Sequence, residues 1–288
     1  MTAEGNLAHP GDGALNIVDT LSTKRLCFTV TSGRSGTKLL AELLRGAAGI
    51  CAEHEPAPRF NYVLRSILDC PEAARWWLET EKLPAMAERA GAETAYAETS
   101  HLTCKGFIEP LLDLGLRPVL LIVARPARDV ARSLFKIGAI PERTPSGRLV
   151  LIGPAHSPFL RVADWESWTD YQLCYWYARE IERRQGYYRE LASRVGLESF
   201  DYSFDDIGDW DRFVALSEFV SGSTVVTNRD AFHAILQQNQ NPREALLNGS
   251  PERGLPDDLD AQERQVEDQI AEIGSHQPYP VGYEPLRT

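Results

Sequence analysis

The chain is poor in cysteine, short of positive charge and without a long apolar run. Its five cysteines (Cys27, Cys51, Cys70, Cys104 and Cys174) are odd in number, scattered and never in C-x-x-C spacing. That excludes a paired redox motif and a zinc ribbon, and it fits reduced, mostly core thiols better than a disulfide framework. Thirty Lys and Arg stand against 41 Asp and Glu, a formal net charge of −11. Broad binding to nucleic acid or to an anionic membrane needs a basic surface, which this composition does not supply. A small anionic ligand is not excluded, because a local pocket can be positive on an acidic protein. No run reaches the roughly 20 apolar residues that span a bilayer. The opening residues MTAEGNLAHPGDGALNIVDT hold no apolar core of a secretory leader, so the expected location is the cytoplasm.

What is present is ordinary for a globular protein. Apolar residues make up 43% and charged residues 25% of 288, enough chain for a sizeable buried core. Residues 1–22 read as a flexible arm and 23–288 as one α/β domain. A strand over 25–31 leads through a glycine loop into a helix at about 37–48, with Leu40, Leu43, Leu44 and Ala47 on one face. Residues 71–91 read as helical, with Trp76, Trp77 and Met86 as core, and a short strand follows near Thr94–Glu98. The strongest strand is PVLLIVAR, an uninterrupted apolar run from Val119 to Ala124 as expected of a strand buried on both faces. Pro126 suits the first position of a helix over 126–136. The Pro- and Gly-rich stretch 138–163 is too long for a connector and reads as a lid or acceptor loop. A long aromatic helix (165–194), a strand (197–202) and helices at 209–221 and 258–273 complete the reading. Strands alternating with helices imply a mostly parallel sheet flanked by helices. There is no internal repeat and no low-complexity segment.

Two motifs carry chemistry. TSGRSGTKLL (31–40) joins strand to helix through Gly33 and Gly36. Such a loop offers backbone N–H groups and the positive end of a helix dipole to an anion. Arg34 and Lys38 add charge, and Ser32, Ser35 and Thr37 add hydroxyl donors. It is not a nucleotide-triphosphate loop of the form G-x-x-x-x-G-K-[ST]: Thr31 replaces the first glycine, Thr37 the lysine, and Lys38 comes one place late. The second motif, RPARDVARS (125–133), puts Arg125 at the carboxyl end of a central strand, where open α/β sheets bind ligands, and Ser133 on the helix beyond. Arg128 and Arg132 read as a solvated helix face paired with Asp129.

Together these motifs resemble the paired signatures of sulfotransferases that use 3′-phosphoadenosine 5′-phosphosulfate (PAPS), and Arg34 makes the chain more similar to the bacterial and tyrosylprotein branch than to the cytosolic one. The resemblance implies a P-loop-like, three-layer fold. It places the 5′-phosphosulfate on Ser32, Gly33, Arg34, Ser35, Gly36, Thr37 and Lys38, and the 3′-phosphate on Arg125 and Ser133. Phe204, in ESFDYSFDDIGDWDRFVALSEFVSG (198–222), stands where the family often has an adenine-contacting tyrosine. Lys38 departs from the pattern, since many members carry Thr there. The ending VGYE is also similar to bacterial members. No clear match exists to the family's C-terminal basic loop, for which NQNPREALLNGSPERG (239–254) offers Arg243 and Arg253.

Sulfuryl transfer needs positioning, charge stabilisation and a base for the acceptor proton. In CAEHEPAPRF (51–60) the resemblance places a catalytic glutamate: counting from Arg34 gives Glu55, whereas aligning on Cys51 gives His54. In AETSHLTCKGF (97–107), His101 is similar to the histidine base of the cytosolic branch, with Thr99 in place of the lysine expected before it. Glu55 ranks first and His101 second; Lys105 is either an auxiliary cation or a surface lysine. Arg34 and Lys38 would neutralise charge on the transferring group. The implied cofactor is PAPS, released as adenosine 3′,5′-bisphosphate, with no metal. The competing readings are an ATP–Mg²⁺ small-molecule kinase, disfavoured because Arg125 rather than an acid ends the 119–124 strand, and a non-catalytic nucleotide-binding protein. The acceptor stays open among sugars, phenols, amines, peptide tyrosines and natural-product hydroxyls, as does the oligomeric state.

Overall fold

Five parallel strands in the order β2-β3-β1-β4-β5 form the centre of the molecule, with helices on both faces. The computed structural model describes residues 17–156, 159–238 and 251–274. In chain order the elements are β1 (Arg25–Val30), α1 (Thr37–Arg45), β2 (Ile50–Glu53), α2 (Leu64–Asp69), α3 (Glu72–Trp77), α4 (Leu83–Ala90), β3 (Ala95–Glu98), α5 (Ile108–Asp113), β4 (Val119–Ala124), α6 (Ala127–Lys136), α7 (Pro145–Val150), α8 (Asp170–Val195), β5 (Ser199–Ser203), α9 (Trp210–Ser221), α10 (Arg229–Leu236) and α11 (Leu259–Gly274).

β1 and β4 are buried on both sides because both sides are covered. Alternate residues of β4 serve different cores: Leu120 and Ile122 pack with α6 and α8, while Val119, Leu121 and Val123 pack with α1 and α9. In β1, Leu26 and Phe28 face a third apolar cluster with Phe60, Trp77 and Phe107. The side-chain period of two thus divides one continuous apolar run between two layers. α1 buries Leu40, Ala41, Leu43 and Leu44 and stops at Gly46. α8 opens on a capping box between Thr169 and Gln172 and closes on Gly196 at φ 70°. The aromatic residues Tyr171, Trp176 and Tyr177 are buried along it, as helical spacing implies.

Several expectations are corrected. Residues 17–22 are helical and Leu21 is fully buried, so the chain joins the core before residue 23. Trp76 is 62% exposed rather than core: it follows Arg75 on the outer side of α3, and Trp77 takes the inward position. Pro126 precedes α6 instead of opening it, with ψ 132°. Arg128 pairs with Asp260 and Glu263 of α11, not with Asp129. The stretch 138–163, expected as a lid or acceptor loop, contains α7 and buries Ile140, Leu151 and Ile152. Arg243 and the VGYE ending lie outside the described residues, as do residues 1–16 of the expected arm.

Candidate functional site

The strand order reverses at β1, whose neighbours β3 and β4 lead away on opposite sides. A crevice beyond the carboxyl ends of the strands at such a switch point is where open α/β sheets bind ligands. The loop after β1 stands there. Arg34 (φ 72°) and Gly36 (φ 75°) are both left-handed, which turns the chain sharply into α1. Ser32 and Ser35 are buried and bond to one another through their hydroxyls at 2.8 Å; Ser35 Oγ also donates to the Ser32 carbonyl. These two serines therefore brace the loop from within, where the sequence reading had them as donors to a ligand. Gly36 is the residue before α1 and provides no side-chain cap, and the first turn carries no acid. The first N–H groups of α1 are left without a side-chain acceptor, the arrangement that suits an anion.

Arg125, Ser133 and Phe204 lie against this loop. The Arg125 guanidinium donates to the Arg34 carbonyl and stacks on the Phe204 ring, 4.4 Å from its centroid. Phe204 also roofs Gly36: a methyl group there would fall 3.0 Å from the ring and 2.8 Å from Ile207 Cδ1. Ser133 accepts a hydrogen bond from Arg34 Nε at 3.0 Å. The proposed 5′ and 3′ phosphate residues thus form one contiguous group, with Arg34 touching both halves.

On the other side of the loop a cavity of about 320 Å³ is lined by Gly33, Arg34, Thr37 and Lys38, by His54, Glu55 and His101, and by apolar residues of α6 and the 139–151 stretch. Lys38 is exposed at its mouth. Glu55 and His101, rival candidates for the base, stand together: His101 Nε2 is 3.5 Å from Glu55 Oε1. The imidazole lies over the loop, with Nδ1 at 3.4 Å from where a methyl on Gly33 would sit. Nδ1 also meets Lys105 Nζ at 3.0 Å. In its ammonium form Lys105 only donates, and His101 then accepts at Nδ1 and carries its proton on Nε2, facing Glu55. Burial, then the charges of Lys105, His54 and Arg34, hold the imidazole pKa well below its usual value, so the ring is neutral. Burial also lowers Lys105, from 10.5 to about 7. His54 is turned to the backbone, its Nδ1 2.7 Å from the Thr99 carbonyl.

Two supports escaped the sequence reading. Glu55 has φ 46°, an uncommon conformation for a residue with a side chain. The segment after it is tied down by Lys82, a fully buried lysine that donates to the Pro56 and Pro58 carbonyls and to Glu98 Oε1 at 2.8 Å. Tyr96 donates to the other Glu98 oxygen. Burial lowers the Lys82 pKa and raises that of Glu98, and their mutual attraction offsets both. On the His101 side, Arg184 and Tyr188 of α8 bond the Cys104 carbonyl, and Arg184 is paired with buried Glu180. No periodicity or motif marked Lys82 or Arg184. Lys105, four residues after His101, was noted, and it is 2% exposed rather than a surface lysine.

Among the described residues no group of three or more His, Cys, Asp or Glu side chains is arranged to hold a metal ion, and no helix is long and apolar enough to cross a membrane. Trp165, Trp168, Tyr171, Tyr175, Trp176 and Tyr177 do not line the cavity. Arg253 is bonded to Asp170, and its backbone N–H bonds the Lys136 carbonyl. No protein-family model matches the chain, and no curated protein matches it in sequence.

Proposed function

We propose that this chain is a sulfotransferase of P-loop-like fold that moves a sulfuryl group from PAPS to a hydroxyl or amine of a small acceptor. One observation carries the reading: an uncapped glycine loop, an arginine stacked on an aromatic ring, and a Glu–His pair meet at the switch point of one parallel sheet. The residues fit the nucleotide. The loop amides of 33–37, Arg34 and Lys38 would hold the 5′-phosphosulfate; Arg125 and Ser133 would hold the 3′-phosphate; and Phe204 would flank adenine.

PAPS supplies a sulfuryl group on a phosphate leaving group. With PAPS held by the loop, Arg125 and Ser133, the acceptor oxygen would bond to sulfur as the bond from sulfur to the 5′-phosphate oxygen broke, and Glu55 would take the acceptor proton. Glu55 is the base in this reading because it is the one carboxylate among the cavity-lining residues and because His101 presents N–H, not a lone pair, toward it. His101 positions that carboxylate, and Lys105 fixes the His101 tautomer. Positioning and charge stabilisation by Arg34, Lys38 and the loop amides supply most of the rate.

A kinase would need a carboxylate for magnesium at the end of a strand beside the loop. Arg125 follows β4 in place of an acid, and Glu98 at the end of β3 is committed to Lys82 and Tyr96, which favours a metal-free donor and leaves Glu55 for the acceptor proton. The test is Glu55→Gln with labelled PAPS and a broad acceptor panel. Turnover should fall by about 10²–10⁴-fold with adenosine 3′,5′-bisphosphate affinity retained. Undiminished turnover would remove Glu55 from the role, and bisphosphate binding without transfer to any acceptor would favour a non-catalytic binding protein.

A further inference from the structure

The cavity of about 320 Å³ is lined by two unlike groups of residues. One is the loop with Glu55 and His101. The other is apolar: Leu134, Ile137, Ala139, Val150 and Leu151, with Ser146 beside them in the chain. Arg125 and Phe204, which would take the adenosine side, are not part of this lining. The apolar group is therefore left for the acceptor.

That wall offers few hydrogen bonds, because its polar groups are already engaged. The Val150 carbonyl accepts from Lys105 Nζ, the Leu151 carbonyl from Arg65 Nη2, and the Ser146 hydroxyl donates to the Gly138 carbonyl. A sugar placed there would bury several hydroxyls against hydrocarbon, and each unpartnered group opposes binding. A carboxylate set against these side chains would lose its water, and Lys105 Nζ, the cation that reaches the wall, is already held by His101 Nδ1 and the Val150 carbonyl. The volume is at the small end of ligand pockets.

We infer, on the sulfotransferase reading above, that the acceptor is a compact, uncharged, largely hydrocarbon alcohol that directs its hydroxyl toward Glu55 and its carbon body onto the Leu134–Val150 wall. The bond formed is oxygen to sulfur, the bond broken joins sulfur to the 5′-phosphate, and the hydroxyl proton goes to the Glu55 carboxylate. Sugars and hydroxy acids of similar ring size are discriminated against by the wall, not by the base.

Three acceptors of one ring size test this: cyclohexanol, glucose and trans-4-hydroxycyclohexanecarboxylate, each with labelled PAPS and the full chain. Cyclohexanol should exceed both others in kcat/KM by at least about tenfold. Val150→Asp, at a half-buried position, should erase that preference while adenosine 3′,5′-bisphosphate binds as before; Ile137→Asn at the end of α6 is the second variant should the first not fold. Preferred transfer to glucose or to the hydroxy acid overturns the inference and leaves the sulfotransferase reading intact. Bisphosphate binding with transfer to none of the three also overturns it. Failure to bind bisphosphate at all removes the underlying reading instead.

Discussion

Lys105→Met gives a test of the site that needs no substrate. In the folded chain the Lys105 amine is enclosed by His101 Nδ1, the Val150 carbonyl and the Tyr177 ring, and burial lowers its pKa from 10.5 to about 7. Below about pH 7 both folded and unfolded chains carry the ammonium, and the folded state bears the full cost of burying it. Between about pH 7 and 10.5 the unfolded chain still holds this proton while the folded chain has released it. The unfolded state then binds more protons, so stability rises with pH across that window. The two pKa values set a ceiling of ~5 kcal/mol at 1.36 kcal/mol per unit. Between about pH 7.5 and 9.5 the share is ~2–3 kcal/mol. Urea unfolding followed by tryptophan fluorescence reads it, with wild type and variant measured side by side so that the buried tyrosines and cysteines cancel. The wild type should gain ~2–3 kcal/mol on the variant over that range. Parallel curves would mean that Lys105 titrates as an exposed lysine and that its enclosure by His101, Val150 and Tyr177 does not hold in solution.

Two further outcomes follow from the geometry. Arg125→Ala should weaken adenosine 3′,5′-bisphosphate by ~1.5–3 kcal/mol, a charge-assisted contact, and adenosine 5′-monophosphate by much less; equal losses by calorimetry would sink the 3′-phosphate role. Lys82→Met strands Glu98 in the core and should cost ~3–5 kcal/mol in urea unfolding, with part recovered in the double variant with Glu98→Gln; a neutral Lys82→Met would mean that the strut under the Glu55 segment carries no load.

The sheet and the loop were legible in the sequence because local signals agreed. The apolar run of β4, the glycines after β1 and the amphipathic stripe of α1 each specify their element without help from distant chain. Arg125 was legible for the same reason, since the end of a strand is a definite place. The juxtaposition of Glu55 with His101 was not, because the residues follow different strands and only the parallel β2–β3 pairing brings them together. Ser133 bonded to Arg34 and Ser32 bonded to Ser35 depend on side-chain directions inside one loop, which spacing does not encode. Lys82 left no trace either: a lysine in a polar stretch reads as solvated, and only the proline carbonyls and Glu98 closing round it explain its burial. Trp76 reads as core alongside Trp77 because hydrophobicity alone does not show that Trp77 takes the inward position and Trp76 stays 62% exposed.

The central claim is that this loop is built for a 3′,5′-bisphosphorylated adenosine and not for a nucleoside triphosphate with magnesium. A thermal-shift and unfolding comparison of the two ligands tests it most directly. At a hundredfold excess over its dissociation constant, adenosine 3′,5′-bisphosphate should stabilise the chain by about 2.7 kcal/mol, with no effect from ATP–Mg²⁺. Stabilisation by ATP–Mg²⁺ alone would contradict the account and turn the site into that of a kinase.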